Sequence, residues 1–207
     1  MISVSFLKSK FSKKETLERI SNSNADYLHV DLMDGEYTEN KNFSIDEVVN
    51  DLKSIIKPLD IHLMVNNPLK YIDSLAKLKP DTITVHINIK DDLLEVINLI
   101  KDYNINVGIA INPDEDISIL DKYVKYIDYV LIMSVYPGKG GQKFIQEVLT
   151  KIPYLYNKNV LIGIDGGIND ETISLLKDYK VDRIISGSYV CMSDNYNESI
   201  EKLRNSL

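Results

Sequence analysis

The chain has 207 residues, of which 44% are hydrophobic, and it carries a formal net charge of −7. This length and apolar fraction allow a full hydrophobic core, whereas the negative charge excludes a general basic surface for nucleic acid. No run of about 18 apolar residues occurs, so no membrane span is expected, and the single cysteine, Cys191, excludes an internal disulfide. We therefore predict a cytoplasmic protein that binds neither nucleic acid nor membrane.

Short β-branched runs and helical patterns alternate along the whole chain. The strand-like runs are 2–6, 27–31, 59–64, 82–86, 106–111, 129–133, 160–165 and 183–186. Apolar residues at helical spacing occupy 17–20, 48–56, 72–76, 93–100, 117–124, 144–155, 173–176 and 200–203 between and after them. Ser44 and Asn169 are placed as helix N-caps.

Strict alternation of strand and helix predicts an α/β fold with a parallel sheet. A doubly wound sheet and a (β/α)8 TIM barrel both satisfy that pattern. No G-x-G-x-x-G opens the first helix, as a dinucleotide site in a doubly wound sheet would require. Polar or small residues end many different strands, namely Ser5, Asp31, His62, His86, Met133, Asp165 and Gly187. In a barrel these ends converge on one mouth, so we predict a single (β/α)8 barrel catalytic domain over residues 1–207.

His29 and Asp31 stand two residues apart in the second strand, so they share one face. A buried histidine and aspartate together indicate a metal site, an acid/base site, or both. His62 shares a face with Asp60 and Met64, and it reaches the same mouth if that face is the barrel interior. A lone histidine there would be a core residue, but next to His29 and Asp31 it is favoured as a ligand, because two histidines and carboxylates are a common set of metal ligands. Asp165 either ends its strand in an Asx-turn or joins Asp31 as a second carboxylate for proton transfer on opposite faces of one carbon.

Three small-residue loops follow the late strands and predict a phosphorylated substrate. Gly138, Lys139, Gly140 and Gly141 follow the sixth strand, Gly166 and Gly167 the seventh, and Gly187 and Ser188 the eighth. Exposed backbone N–H groups of such loops bind phosphate, although plain flexible loops are the alternative. Met33, Met64 and Met133 end three strands as core or as a soft pocket lining. His86 is interpreted as structural, or as a residue that supports a ligand.

The combined motifs resemble the ribulose-phosphate 3-epimerase family. They are Ser5-Phe6-Leu7, the segment 29–35 (HVDLMDG), the segment 60–65 (DIHLMV) with Pro68, the segment 133–145, the segment 165–169 (DGGIN), and Gly187-Ser188. The resemblance runs from the first strand to the eighth.

The resemblance implies reversible inversion at C3 of D-ribulose 5-phosphate, which gives D-xylulose 5-phosphate in the pentose phosphate pathway through an enediolate. It implies that Asp31 and Asp165 transfer the protons and that one divalent metal per subunit, Zn, Fe, Mn or Co, is held by His29, Asp31, His62 and Asp165. Ser5 and His62 would touch the sugar, with Asp165 beside it. The phosphate would lie on Gly138, Lys139, Gly140, Gly141, Gly166, Gly167, Gly187 and Ser188, and Met33, Met64 and Met133 would line the pocket. The family also implies a homo-oligomer.

The chain departs from the family pattern around the substrate loops. Glu36-Tyr37-Thr38-Glu39-Asn40 replaces His-Phe-x-Pro-Asn, Tyr136 replaces a frequent Asn, and Lys139 a frequent Phe. Lys8 stands where a second serine is usual, and Asn88 where a glutamate is. These changes leave two alternatives open, a 3-epimerase for a longer ketose phosphate such as allulose 6-phosphate and a non-catalytic barrel that binds phosphate or metal.

Overall fold

Eight parallel strands close into a barrel in which each strand pairs with its neighbours in the sequence and β1 pairs with β8. The computed structural model describes all residues, 1–207. The strands are β1 Ile2–Ser5, β2 Tyr27–Met33, β3 Leu59–Met64, β4 Thr82–His86, β5 Asn106–Ile111, β6 Tyr129–Met133, β7 Leu161–Asp165 and β8 Arg183–Ser186. This closed order confirms the predicted barrel and excludes the doubly wound sheet.

Helical segments connect the strands and cover the outside of the barrel. The α-helices are α1 Lys13–Ser21, α2 Ile45–Leu52, α3 Leu69–Ala76, α4 Leu93–Asp102, α5 Ser188–Cys191 and α6 Tyr196–Asn205. The segments Ile117–Lys122, Val124–Tyr126, Gln146–Leu155 and Thr172–Leu176 are 3₁₀ helices. Within Gln146–Leu155, Pro153 has no N–H to donate, which weakens an α-helical ladder there. None of the helices has the length and apolar character needed to cross a bilayer.

Two helix boundaries differ from the sequence-based expectation. Ser44 caps α2 as predicted, in a capping box with Glu47. The prediction that this helix extends to residue 56 was wrong, because α2 ends at Leu52 and Ile56 is 97% exposed. Asn169 makes the side-chain hydrogen bonds of an N-cap, but the helix after it begins later than predicted. Its side chain accepts the N–H groups of Glu171 and Thr172 in a turn, and the 3₁₀ helix begins at Thr172.

Strand alternation divides the core into two parts. A cluster of 47 buried apolar residues joins the outward strand faces to the helices. A second cluster of five, Ala110, Tyr129, Leu131, Met133 and Ile185, comes from strands β5, β6 and β8. The inward positions of β1 to β3 are polar, because Ser5, His29, Asp31, Asp60 and His62 alternate with core residues and are buried. A polar interior on one side of the barrel is where the site forms.

Candidate active site

Four side chains meet at the carboxyl ends of β2, β3 and β7. One ligand atom each from His29, Asp31, His62 and Asp165 lies within 4.8 Å of all the others. Nε2 of His29 is 3.4 Å from Asp31 Oδ1 and 3.7 Å from Asp165 Oδ2. Nδ1 of His62 is 3.2 Å and 3.9 Å from the same two oxygens. The parallel register brings two of these four residues together, because it pairs Asp31 with His62 across β2 and β3.

The hydrogen bonds around His29 leave one of its nitrogens free for a ligand. Nδ1 of His29 is 2.9 Å from Asp60 Oδ2, so the carboxylate assigns the proton to Nδ1. In the neutral ring, Nε2 then presents a lone pair toward Asp31 and Asp165, and it is buried without a hydrogen-bond partner. In the metal-free protein the raised pKa of His29 puts a proton on Nε2, which a cation would replace. A buried acceptor of this kind beside two carboxylates fits a divalent cation.

His62 is oriented in the same way by a second histidine. Nε2 of His62 lies 2.9 Å from Nε2 of His86, which assigns the proton to one of these two atoms. With the proton on His62 Nε2, its Nδ1 offers a lone pair to the group of four ligand atoms. His86 is itself fully buried, its ring centroid is 4.5 Å from that of Tyr37, and its pKa is held well below the usual value by burial and by His62. His86 thus touches a candidate ligand and is not among the four.

The two carboxylates differ strongly in proton affinity. Burial alone would raise the pKa of Asp31, but His29 and His62 outweigh it and hold that pKa well below its usual range. Ser5 Oγ adds a hydrogen bond of 2.6 Å to Asp31 Oδ2. Burial raises the pKa of Asp165 to about 6; the histidines oppose this, and the charge of Asp31 adds to it. Burial opposes protonation of His29, yet Asp31 and Asp60 raise its pKa well above the usual value. In the metal-free protein, Asp31 therefore stays ionised, whereas Asp165 takes up a proton as the pH falls through about 6.

A cleft opens above these carboxylates. Its lining includes the predicted residues Ser5, Asp31, Met64, Met133, Gly138, Lys139, Gly140, Gly141, Asp165, Gly166, Gly167, Gly187 and Ser188. The backbone N–H groups of Gly140, Gly141, Gly167 and Gly187 have no acceptor within the protein. A cleft with carboxylates at its floor and free N–H groups at one end suits a small anion-bearing ligand.

The glycines after β7 are required by close packing. Gly166 and Gly167 have φ of +119° and +67°, which favour glycine. A Cβ on Gly167 would lie 2.5 Å from the backbone nitrogen of Phe144, and a Cβ on Gly166 would lie 2.4 Å from Val135 Cγ2. The loops after β6 and β7 can approach each other this closely only because these positions have no side chain.

Two lysines stand at the same end of the cleft as the glycine loops. Lys8 and Lys139 both line it, both are exposed, and neither forms an ion pair within the protein. Nζ of Lys8 lies 2.9 Å from the point where a Cβ on Gly141 would stand. Their charges are thus available to an anion on the glycine loops.

One predicted lining residue lies outside the cleft. Met33 is 2% exposed and is absent from the lining. The segment after β2 contacts the Met33 backbone, because Met33 N donates to Asn42 Oδ1 at 2.9 Å, and Asp34 in that segment forms a bridge to Lys41. The role of Met33 as a pocket wall stays a prediction.

Sequence reasoning also gave no role to two residues. Lys8 was seen only as a departure from the family pattern, although its position three residues after Ser5 places it beside the cleft. Asp60 was noted as sharing a face with His62, and its pairing with His29 follows from the register, in which the two are direct neighbours. The signal available in the sequence was the alternation of side chains along the two strands, which assigns His29 and Asp60 to the barrel interior.

Comparison with known proteins agrees with this geometry. The model of the Ribulose-phosphate 3 epimerase family matches residues 1–191. The ribulose-phosphate 3-epimerase of Helicobacter pylori is 39% identical, with 88% of this chain and 87% of that protein covered. The enzyme of the same name from Bacillus subtilis is 33% identical over 92% and 91%.

Solved structures share the fold at low identity. KGPDC from Streptococcus mutans superimposes with a TM-score of 0.74 at 14% identity, covering 99% of this chain and 95% of that one. The 3-hexulose-6-phosphate synthase of Salmonella typhimurium gives 0.72 at 17%, covering 100% and 97%. These likenesses show the barrel alone. The match along most of the sequence decides the family, and the chain belongs to the ribulose-phosphate 3-epimerase family.

Proposed function

We propose that the protein interconverts D-ribulose 5-phosphate and D-xylulose 5-phosphate by moving a proton at C3. The observation that carries the proposal is the pair of carboxylates that line one cleft, Asp31 on β2 and Asp165 on β7. The buried ligand nitrogens of His29 and His62 lie within 4.8 Å of them, although neither histidine lines the cleft. β1 and β8 separate their strands, so the two groups approach the floor from different sides. Inversion at a carbon needs one base and one acid on opposite faces.

Each carboxylate serves as base for one epimer and as acid for the other. In one direction Asp31 takes the C3 proton from one face and Asp165 delivers a proton to the other. The reverse direction exchanges the roles. Ser5, whose hydroxyl donates to Asp31 Oδ2 at 2.6 Å, orients that carboxylate and lies in the cleft lining beside the sugar.

The four residues His29, Asp31, His62 and Asp165 would hold one divalent cation per subunit, and Zn, Fe, Mn and Co all accept such ligands. When bound, the cation supplies Lewis acidity that stabilises negative charge developing on the substrate oxygens. With both histidines neutral, His29 protonated on Nδ1 toward Asp60 and His62 on Nε2 toward His86, the two carboxylates would balance the charge of the cation.

The phosphate group of the substrate would lie at the far end of the cleft. The free N–H groups of Gly140, Gly141, Gly167 and Gly187 supply donors, and Lys8 and Lys139 supply positive charge. This division keeps the phosphate dianion away from the carboxylates at the floor, where like charges would repel. We also propose that the protein forms a homo-oligomer and is cytoplasmic. Both proposals rest on the family alone.

Conversion of ribulose 5-phosphate by the purified protein tests this proposal. We expect turnover by the wild type and a loss of at least about 100-fold in both directions for Asp31→Asn and for Asp165→Asn. Asp128→Asn is the matched control, because Asp128 accepts a hydrogen bond from Val107 N at the other end of the barrel and its amide keeps that acceptor. Full activity of either cleft variant would contradict its role.

The substrate length is decided by the same assay. Comparable kcat/KM on allulose 6-phosphate would assign the longer ketose phosphate, whereas a clear preference for the pentose phosphate supports the proposal. Binding of phosphate and metal without any turnover would identify a non-catalytic barrel and reject it.

A further inference from the structure

A buried arginine occupies the barrel at the end away from the cleft. Arg183 is the first residue of β8 and is 2% exposed. Neither proton transfer nor phosphate binding uses it. A guanidinium inside a barrel is unexpected, since that space is ordinarily filled by layers of branched apolar side chains.

The environment of Arg183 is built to hold a planar cation. Its guanidinium lies 3.9 Å from the ring centroid of Tyr27 and 4.8 Å from that of Tyr129. Gly163 makes room for the second ring, because a Cβ there would stand 1.7 Å from the Tyr129 hydroxyl oxygen. Gly108 does the same from β5, with a Cβ position 2.8 Å from the Tyr129 ring. Two glycines and two tyrosines thus create one site for the guanidinium.

Arg183 joins two carboxylates that face different surroundings. Nη2 donates to Asp81 Oδ2 at 2.9 Å, and the Asp81 side chain is 32% exposed. Nη1 forms an ion pair of 2.9 Å with Asp60 Oδ1, and the Asp60 side chain is 1% exposed. Of the two ion pairs, the one with Asp60 is connected to the candidate metal centre.

Asp60 also contacts His29, so it links Arg183 to a candidate metal ligand. Its other oxygen, Oδ2, accepts a hydrogen bond from Ser3 Oγ at 3.0 Å and is 2.9 Å from His29 Nδ1. Both oxygens of Asp60 therefore have partners: Oδ2 forms hydrogen bonds with Ser3 and His29, whereas Oδ1 forms an ion-pair contact with Arg183 but no hydrogen bond. A carboxylate fixed at both oxygens fixes the plane of the imidazole that it contacts, and with it the direction of the free Nε2 lone pair.

An ion pair with a purely structural role is not needed to fill the space inside this end of the barrel. Replacing a buried pair with apolar residues of similar volume is often neutral or stabilising. The Arg183–Asp60 pair differs from such a filler because Asp60 also contacts His29, a candidate metal ligand, and because Gly108 and Gly163 leave room for the Tyr129 ring that Arg183 lies against.

We propose that Arg183 is a positioning residue of the metal centre, which acts through Asp60 to hold His29 in the orientation that binds the cation. The proposal rests on the proposed metal centre, but it does not depend on which sugar phosphate is the substrate.

Cobalt(II) binding to protein stripped of metal tests this inference. The readouts are the dissociation constant from competition with a chelator and the visible absorption bands of bound cobalt, which report ligand geometry. We expect Arg183→Met to raise the dissociation constant about tenfold or more and to shift the bands. Arg183→Lys, which retains the charge but not the planar fork, should fall between the wild type and the methionine variant.

Asp81→Asn is the matched control. It removes the other carboxylate from the same guanidinium and leaves the Asp60 pair in place, so we expect lower thermal stability with unchanged cobalt affinity and spectrum. If Arg183→Met does not fold, Arg183→Lys alone decides, with a rise of about threefold or more expected. Wild-type cobalt affinity and spectrum in the folded Arg183 variants would overturn the inference and leave Arg183 a structural residue.

The outcome is separable from that of the proposed function. Cobalt binding that depends on Arg183, in a protein that does not convert ribulose 5-phosphate, would support the positioning role and reject the epimerase. If the protein converts ribulose 5-phosphate but its cobalt affinity does not depend on Arg183, the epimerase is supported and the positioning role is rejected.

Discussion

Neutralising Asp165 should stabilise the protein when no metal is bound. In the folded chain, burial raises the pKa of this carboxyl to about 6, from an ordinary value of 3.8. The folded state therefore binds the Asp165 proton more tightly than the unfolded state does. Because of this, stability is fully retained below the unfolded pKa and is lost as the pH rises from 3.8 through about 6. Asp165→Asn, which has no proton to lose, avoids that loss.

The size of the effect follows from the two pKa values. The difference between about 6 and 3.8 corresponds to about 3 kcal/mol well above pH 6. Near pH 4.5 the same relation leaves only about 1 kcal/mol. For a chain of this length, about 3 kcal/mol corresponds to roughly 6–12 °C in Tm.

Thermal unfolding in the presence of a chelator measures this directly. We expect Asp165→Asn to unfold at a higher temperature than the wild type near pH 8, and we expect the difference in Tm to shrink to roughly 2–4 °C near pH 4.5. Asp26→Asn is a control of opposite sign. Burial of Asp26 is outweighed by its hydrogen bonds with Ile2 N and Arg204, which hold its pKa below the usual value, so this variant should be less stable near neutral pH. An unchanged or lower Tm for Asp165→Asn near pH 8 would refute the reasoning.

Three further predictions concern the cleft and the barrel interior. Lys8→Ser should raise KM for ribulose 5-phosphate and leave kcat unchanged in steady-state kinetics, whereas Lys10→Ser, whose ammonium pairs with Asp194, should change neither. Gly163→Ala should lower the free energy of unfolding in urea by about 1–3 kcal/mol or more, since its Cβ would stand 1.7 Å from the Tyr129 hydroxyl. Chelation should abolish turnover while the far-UV circular dichroism spectrum is retained, and activity should return on addition of a divalent cation; activity that persists after complete metal removal would contradict this.

The barrel could be predicted from the sequence because its signals are local. Each strand is a short β-branched run, and period-two alternation assigns His29 and Asp31 to one face. Since the carboxyl ends of all strands of a parallel barrel point to one mouth, residues far apart in the chain could be grouped without knowing any contact. Asp165, 134 positions after Asp31 in the printed numbering, joined the group in this way.

What could not be predicted depends on loops and on packing between distant strands. The segment 34–42 doubles back so that Asn42 Oδ1 accepts a hydrogen bond from Met33 N and Asp34 pairs with Lys41, and the sequence does not indicate this return. The role of Arg183 depends on Asp60, 123 positions earlier, and on the space left by Gly163 beside Tyr129. No local pattern contains such information, because an arginine at the start of a strand ordinarily lies at the surface.

The most direct test of the central claim is the fate of the C3 hydrogen in D₂O. Ribulose 5-phosphate incubated with the metal-loaded protein should yield xylulose 5-phosphate that carries deuterium at C3, as read by proton NMR or mass spectrometry. Asp31→Asn and Asp165→Asn should show neither product nor full exchange. Xylulose 5-phosphate that retains the original hydrogen, or the absence of both exchange and product with the wild type, would contradict proton transfer at C3 by these two carboxylates.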